Sequence, residues 1–238
     1  MTVGQDSTAR RDEVSAGLAR VEERIAAACR AAGRSRGDVQ LIAVTKNFPG
    51  SDIEVLCELG VTDIGENRDQ EASAKIAALP PDVRQRLQVH FIGQLQSNKA
   101  HSLATYVDTV HSIDRDKLVI ALDRAAAAAG RDIGALIQVS LGTGLTVAGR
   151  GGIPLGGVAE LANSVAAARH LRLRGLMAVA PLGVDPGEAF AQLGRVAQAI
   201  RAEHPEATWV SAGMSADLEA AVAPVSYTHL TLPTNREV

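Results

Sequence analysis

The sequence predicts an α/β fold, a (β/α)8 TIM-type barrel preceded by one extra helix. Short apolar runs alternate with amphipathic helical stretches along most of the chain, and seven strand–helix units can be counted. This alternation implies a parallel sheet, because helices then provide the crossover connections. Seven or eight such units within 238 residues favour a closed barrel over an open doubly wound sheet. One large domain is expected at this length, and 46% hydrophobic residues can supply its core.

Helical periodicity and cap residues place the elements in order. Apolar residues recur at helical spacing from residue 14 to residue 29 and Gly33 follows them, so a long amphipathic helix opens the chain. Apolar runs then predict strands at residues 39–45, 62–65, 88–92, 107–111, 135–140, 173–178 and 208–211. Cap residues predict helices after Ser51, over 117–129 between Asp114 and Gly130, and over 216–223 after Ser215.

The last segment, residues 224–238, breaks this rhythm where the barrel needs an eighth strand. It has no glycine, carries Pro224 and Pro233, and shows only a short Thr/Leu alternation. Proline is poorly tolerated in a central strand. We therefore expect residues 1–223 to form the barrel and 224–238 to be an aberrant, non-native tail. The eighth strand is then missing or replaced, which would leave the first and seventh strands as open edges.

Charge and hydropathy exclude several classes of partner. The chain has 24 Lys+Arg against 27 Asp+Glu and no basic run, so neither nucleic acid nor an anionic membrane is an expected partner. No stretch is long and apolar enough to span a bilayer, and we expect a cytoplasmic protein.

Cys29 and Cys57 fall on the apolar sides of predicted helices, where we expect reduced core residues.

Lys46 directly follows a buried strand, at the strand end where α/β folds collect functional residues. Burial disfavours the ammonium form and lowers the pKa of a lysine, and the uncharged amine attacks an aldehyde to form a Schiff base. The other lysines, Lys75, Lys99 and Lys117, lie in polar stretches with no apolar strand before them. The pattern favours an imine between Lys46 and a carbonyl compound; the alternative is a surface lysine that snorkels from the strand end.

A second candidate is the segment 211–215, where small residues join the last apolar strand to a helix. Unblocked backbone N–H groups, the positive end of the helix and the hydroxyls of Ser211 and Ser215 would suit a phosphate. Ser215 as a helix cap and Gly213 as a turn residue would account for the same segment without any ligand.

Other polar residues near strand ends are less specific. Asn67 could direct its side-chain amide at a ligand, whereas we expect Glu66 and Arg68 to pair with each other at the rim. His90 lies inside a strand and is expected to be a hydrogen-bonded core histidine. The six histidines are scattered without the spacing of metal ligands, so no metal site is expected.

Six segments in one order resemble the pyridoxal phosphate homeostasis protein family, over about residues 12–223. They are AVTK (43–46), GENRDQE (65–71), HFIGQLQSNK (90–99), RGGIP (150–154), LRGLM (173–177) and SAGMS (211–215). The resemblance implies a barrel similar to the N-terminal domain of alanine racemase, of fold type III, with pyridoxal 5′-phosphate (PLP) as cofactor. It implies these cofactor-binding residues: Lys46 for the Schiff base, Asn67 and Met177 near the ring, and Ser211, Gly213 and Ser215 for the phosphate.

One departure from the family concerns the end of the chain. Family members continue into a final strand with an Arg-x-Gly-Thr segment that completes the phosphate and ring site. No such segment occurs between Ala223 and Val238.

Three functions are compatible with these residues. The whole motif set favours a non-catalytic, monomeric PLP carrier that shields the aldehyde and passes PLP to apo PLP-dependent enzymes. An amino-acid racemase would need a second acid/base, which related racemases take from a tyrosine of an extra domain, whereas the only tyrosines here are Tyr106 and Tyr227. A Schiff-base aldolase acting on a sugar phosphate would use the same lysine and phosphate cup without a cofactor.

Overall fold

The computed structural model describes residues 3–141, 151–223 and 228–233, and side chains over 8–141 and 151–223. Within these residues the helices are α1 (Val3–Ala31), α2 (Gly50–Glu58), α3 (Asp69–Ala77), α4 (Pro81–Arg86), α5 (Ala100–Ala104), α6 (Asp116–Ala129), α7 (Val158–Ala167), α8 (Pro186–Glu203) and α9 (Leu218–Val222). The strands are β1 (Val39–Val44), β2 (Asp63–Glu66), β3 (Gln88–Phe91), β4 (Thr109–Ile113), β5 (Ile133–Ser140), β6 (Ile153–Pro154), β7 (Leu171–Met177), β8 (Trp209–Ser211) and β9 (Thr228–Pro233).

Eight of the described strands close into a parallel barrel, in the order β1-β2-β3-β4-β5-β7-β8-β9 and back to β1. The short β6 pairs outside this ring with the end of β5. The strands are apolar along their length because each carries side chains to the interior and to the surrounding helices, as in β1, where Ile42 and Ala43 are both fully buried. The predicted TIM-type barrel with an extra N-terminal helix is confirmed.

The tail supplies the eighth strand. All six residues of β9 pair in parallel with β1, from Val39 opposite Thr228 to Val44 opposite Pro233, and β9 also pairs with β8. The expectation that the first and seventh strands are open edges is therefore wrong, and the strand is replaced, not missing. The Thr/Leu alternation has the two-residue period of a strand. Pro233 is tolerated because it stands at the last position, where its missing N–H interrupts no further pairing.

Ion pairs connect helix α1 to α2 and to α9. Arg10 holds the buried carboxylate of Asp52 on α2 through two hydrogen bonds, and this partner raises the pKa of Arg10 above its ordinary value. Arg24 donates to both carboxylate oxygens of Glu219 on α9, at 2.9 and 3.1 Å. The first helix is thus fixed to the second helix and to the last one.

Three helix starts differ from the predictions. Ser51 lies inside α2, which begins after Pro49; α6 begins after Arg115; and α9 begins at Leu218, beyond Ser215. The late start of α9 has a visible cause, since the Asp217 carboxylate accepts the Met214 N–H at 2.6 Å and holds 214–217 as a turn. Gly130 does end α6 in the left-handed conformation, as predicted.

The expectations for the cysteines, the membrane and metals can also be compared with the structure. Cys29 and Cys57 are buried and unpaired, which confirms their reading as core thiols. No helix in the described ranges has both the length and the apolar character needed to cross a bilayer. No group of three or more potential metal ligands was found within the same ranges.

Candidate functional site

Four predicted site residues stand at one end of the barrel, where the carboxyl ends of the parallel strands meet. Lys46 follows β1, Asn67 follows β2, Met177 ends β7 and Ser211 ends β8. Met177 and Ser211 are register partners on neighbouring strands, and both line one pocket together with Gly213. The strand ends predicted from the sequence therefore placed Lys46, Asn67 and Ser211 correctly at one rim, whereas Met177 was implied only by the family resemblance.

The backbone on both sides of Lys46 is anchored, while its amine is not. Thr45 is fully buried; its N–H donates to the Gly65 carbonyl at 3.0 Å and its hydroxyl to Glu66 at 2.7 Å. Asn47 adopts a positive φ of 64° that turns the chain away from the strand. The half-buried Lys46 makes no hydrogen bond or ion pair with any other described residue. Its amine is available to a ligand.

Lys75 is the buried lysine of this region, and its three N–H donors are all used. It donates to the Thr45 carbonyl at 2.7 Å, to Glu66 at 2.8 Å and to Glu71 at 3.1 Å. Its side chain is 7% exposed and that of Glu66 is 0% exposed, so the pair is enclosed. Lys75 therefore supports the Lys46 turn from behind and has no free donor for a ligand.

Glu71 ties the same cluster to the other side of the turn. Its carboxylate accepts the Asn47 N–H at 2.6 Å as well as the Lys75 ammonium. Burial by itself raises the pKa of Glu71, but the Asn47 N–H and the Lys75 charge outweigh it and lower the pKa below its ordinary value. Glu71 is therefore held in the charged form that the cluster needs.

The sequence did not predict the cluster of Thr45, Glu66, Glu71 and Lys75, and the predicted partner of Glu66 differs from the observed ones. The prediction that Glu66 pairs with Arg68 at the rim is wrong, because Glu66 is fully buried and its partners are Thr45 and Lys75. The available signal was the four-residue spacing of Glu71 and Lys75, which places both on one face of a helix.

Asn67 is held at the rim by close backbone contact with Gly93. A Cβ on Gly93 would lie 2.3 Å from the Asn67 carbonyl oxygen, so only glycine permits this approach. The side-chain oxygen Oδ1 of Asn67 is buried and has no hydrogen-bond partner among the residues with described side chains. A buried polar atom without a partner costs roughly 1–3 kcal/mol, which a ligand donor would recover.

The pocket beside Ser211 combines apolar side chains with a turn of backbone. Ile92, Met177 and Phe190 line it, and the segment from Ser211 to Met214 completes it. Gly213 has a φ of 88°, in the left-handed region that favours glycine. The pocket can therefore enclose an apolar ring and bring backbone N–H groups close to a ligand.

The rest of the segment 211–215 departs from the predicted phosphate cup. The Met214 N–H is taken by the Asp217 carboxylate, which lines the same pocket. Ser215 is exposed and outside the lining, and its carbonyl accepts from Arg24 at 2.9 Å. The predicted cap role of Ser215 is wrong, whereas its contact with phosphate stays a prediction.

A buried line of polar side chains runs through the barrel to this pocket. His90 contacts Asp63 through Nε2 and His111 through Nδ1, and His111 contacts the hydroxyl of Ser211, each at 2.9 Å. The prediction that His90 is a hydrogen-bonded core histidine is confirmed. His111 was not singled out from the sequence, although it lies on the neighbouring strand β4, two residues beyond the register partner of His90.

Curated relatives match this chain over most of its length. A pyridoxal phosphate homeostasis protein of Mycobacterium bovis is 41% identical over 230 residues, covering 90% of this chain and 88% of that protein. Residues 17–232 match the family model described as alanine racemase, N-terminal domain. The chain belongs to the pyridoxal phosphate homeostasis protein family. The resemblance inferred from the six sequence segments is confirmed.

Solved structures of similar sequence have the same fold. PipY of Synechococcus elongatus, solved with PLP bound, is 33% identical with a TM-score of 0.73, covering 88% of this chain and 98% of that one. A crystal structure of an unknown protein from Bifidobacterium adolescentis is 31% identical with a TM-score of 0.86, covering 94% of each chain.

Most of the family's motif segments converge at the carboxyl end of the barrel. AVTK leads into the Lys46 turn, GEN ends β2, HFIG ends β3 and SAG ends β8. Arg150 of the fifth segment lies outside the described residues. β9 fills the place of the eighth strand, but its sequence Thr-His-Leu-Thr-Leu-Pro has no Arg-x-Gly-Thr segment. The motif segments that meet at this rim therefore belong to strand ends that precede β9.

Proposed function

We propose that this protein binds PLP through Lys46 and serves in PLP homeostasis without catalytic turnover. The observation that carries the proposal is the contrast between two lysines at one strand end. Lys75 has every N–H donor engaged, whereas the Lys46 amine makes no hydrogen bond or ion pair with the other described residues. The relative PipY, whose structure contains PLP, supports PLP as the carbonyl compound.

The remaining residues fit the groups of PLP. PLP supplies an aldehyde that condenses with an uncharged amine. We assign the ring to the pocket lined by Met177, with the unpartnered Oδ1 of Asn67 nearby. The hydroxyl of Ser211 and the backbone at Gly213 would hold the phosphate, and Ser215 is retained as a weaker candidate because it is exposed.

The absence of turnover is proposed from the tyrosines. Racemisation needs an acid/base on each face of the substrate carbon. Tyr106 is buried and its hydroxyl donates to Asp69 at 3.3 Å; burial and the nearby Asp69 raise its pKa far above the ordinary value. It is therefore a poor proton shuttle, and Tyr227 lies outside the described residues. The curated relatives carry a homeostasis name, which also favours a carrier over a racemase or an aldolase.

We further propose that the protein acts as a cytoplasmic monomer that delivers PLP to apo PLP-dependent enzymes. Two buried, unpaired cysteines agree with a reducing compartment. The half-exposed Lys46 turn at the open end of the barrel would allow PLP to leave. We propose in addition that residues 224–238 are not native, because the replacement strand lacks the family's Arg-x-Gly-Thr segment.

Borohydride reduction followed by peptide mapping tests the assignment of Lys46. The protein incubated with PLP should absorb in the visible range, lose that absorption on reduction and carry a pyridoxyl group on the peptide containing Lys46. Lys46→Ala should lose both signals, whereas Lys117→Ala, which removes an exposed lysine of α6, should keep both. An unchanged spectrum in Lys46→Ala would show that the cofactor is held elsewhere.

A further inference from the structure

Four buried polar side chains form one continuous line across the barrel interior, here called the histidine line. It consists of Asp63 on β2, His90 on β3, His111 on β4 and Ser211 on β8, and all four are at most 8% exposed. Its three contacts are 2.9 Å each. It begins at the amino end of β2 and ends at the pocket assigned to PLP phosphate.

The chemistry of the residues fixes the direction of these hydrogen bonds when Asp63 is ionised and both histidines are neutral. An ionised carboxylate only accepts, and a neutral imidazole carries one N–H and one bare nitrogen. His90 therefore donates from Nε2 to Asp63 and accepts at Nδ1 from the Nε2–H of His111. His111 then accepts at Nδ1, so the hydroxyl of Ser211 must donate into the ring.

This direction turns the one proton of Ser211 away from the pocket. A phosphate oxygen needs a donor, whereas the Ser211 oxygen would present only lone pairs to it. The hydroxyl becomes available to phosphate once His111 carries a hydrogen on Nδ1 and donates it to the Ser211 oxygen, either as an imidazolium or with every hydrogen bond of the line reversed. The reversed line needs Nδ1–H on both histidines, while Asp63 still requires a proton between itself and His90.

We propose that binding of a phosphate monoester at Ser211 is coupled to the uptake of one proton by the histidine line. The proton comes from solvent and leaves His90 with a hydrogen on both nitrogens, or is shared between His90 and Asp63. The hydrogen of His111 is exchanged from Nε2 to Nδ1, and Ser211 turns its O–H to the phosphate. The net charge of the line changes from −1 to 0. The inference rests on the proposed phosphate role of Ser211 and adds a pH dependence to it.

The groups around the line are compatible with one added proton. Gln40 and Thr62 donate to the second oxygen of Asp63, at 2.8 and 2.5 Å, and keep it in place in both states. His90 also faces the ring of Trp209, with centroids 6.3 Å apart, and Arg174 lies over that ring. The negative charge of the phosphate favours the protonated line, and the carboxylate of Asp217 lines the same pocket.

On the backbone, His229 of β9 is the register partner of Ser211, so a variant at position 229 is included when the added proton is assigned to a particular ring.

Calorimetry with pyridoxine 5′-phosphate measures the proton directly. This ligand has no aldehyde and cannot react with Lys46, and at pH 8 its phosphate is a dianion. Titrations in two buffers of different ionisation enthalpy should give about one proton taken up per ligand, and Kd should rise up to about tenfold per pH unit. His101→Gln, which removes an exposed histidine of α5, should leave the count unchanged. Binding with no proton uptake would overturn the inference, and no binding at all would overturn the proposed phosphate site as well.

Asp63→Asn distinguishes a histidine line that takes up a proton from one that only supports the fold. The amide oxygen can still accept from Gln40 and Thr62, while the amide nitrogen donates to His90 and sets the reversed direction without an added proton. We expect proton uptake to fall to near zero, and binding at pH 9 to be tighter than in the wild type by up to about tenfold. Weaker binding at every pH, with the wild-type slope retained, would show that the line only supports the fold.

Discussion

Lys75→Met tests the buried cluster behind the proposed cofactor lysine. The substitution keeps an unbranched side chain, one heavy atom shorter, and removes the ammonium that donates to Thr45, Glu66 and Glu71. Glu66 is then a fully buried carboxylate. Among the described residues, its Oε1 keeps only the Thr45 hydroxyl and its Oε2 has no hydrogen-bond partner. Removing one member of a buried ion pair typically costs about 3–5 kcal/mol.

The expected loss is therefore about 3–5 kcal/mol, which for a domain of this size lowers Tm by roughly 6–20 °C. Thermal and urea unfolding of the wild type, Lys75→Met, Glu66→Gln and the double variant form a complete cycle. The double variant should lie within about 1–2 kcal/mol of the wild type, because no uncompensated buried charge remains. Lys117→Met, an exposed lysine, should change stability by less than about 0.5 kcal/mol.

Two results of this cycle would contradict the pairing of Lys75 with Glu66. If Lys75→Met costs less than about 1 kcal/mol, or if the two single losses simply add in the double variant, Lys75 and Glu66 do not act as a pair. Lys75→Met and the double variant should form less pyridoxyl adduct with PLP under conditions where each remains folded, because the Thr45 carbonyl loses its donor beside Lys46.

Three further predictions concern the same end of the barrel and its closing strand. Glu71→Gln should lower the free energy of unfolding at pH 7. Because the pKa of Glu71 is lowered in the folded protein, this loss should vanish as pH falls through that pKa. Equal losses of unfolding free energy at pH 7 and pH 3 would contradict this. Gly93→Ala should lower the free energy of unfolding by about 1–3 kcal/mol or more and weaken PLP binding, since the new Cβ would lie 2.3 Å from the Asn67 carbonyl oxygen. An unchanged PLP affinity in calorimetry would show that this contact does not support binding. Truncation after Ala223 should yield aggregates in size-exclusion chromatography, whereas truncation after Pro233 should remain a stable monomer, because only the first removes β9.

The elements that the sequence predicted well are those whose local pattern is strong. The start of β1 and the end of β8 agree with the apolar runs, and α6 ends at Gly130 because a left-handed glycine stops a helix in any context. β9 was missed as a barrel strand because it has no apolar run of its own. Its place is set by pairing with β1 and β8, which is tertiary information.

The site was predicted in part for the same reason. Lys46, Asn67 and Ser211 could be placed at one rim because strand ends are local features of the sequence. The buried partners of the site could not, since the contact of Lys75 with Thr45 depends on how α3 packs behind β1. The link from His111 to Ser211 joins residues 100 positions apart on opposite sides of the barrel.

The ion pair between α1 and α9 has a consequence for how the chain folds during synthesis. Arg24 and Glu219 are 195 positions apart, so the first helix emerges from the ribosome long before its last partner. At about 5–20 residues per second, that interval is on the order of 10–40 s. During it, β1 has an unpaired edge and the apolar face of α1 is incompletely covered, both of which favour association with other chains. The nascent chain is therefore expected to depend on chaperones until its final strand has been released.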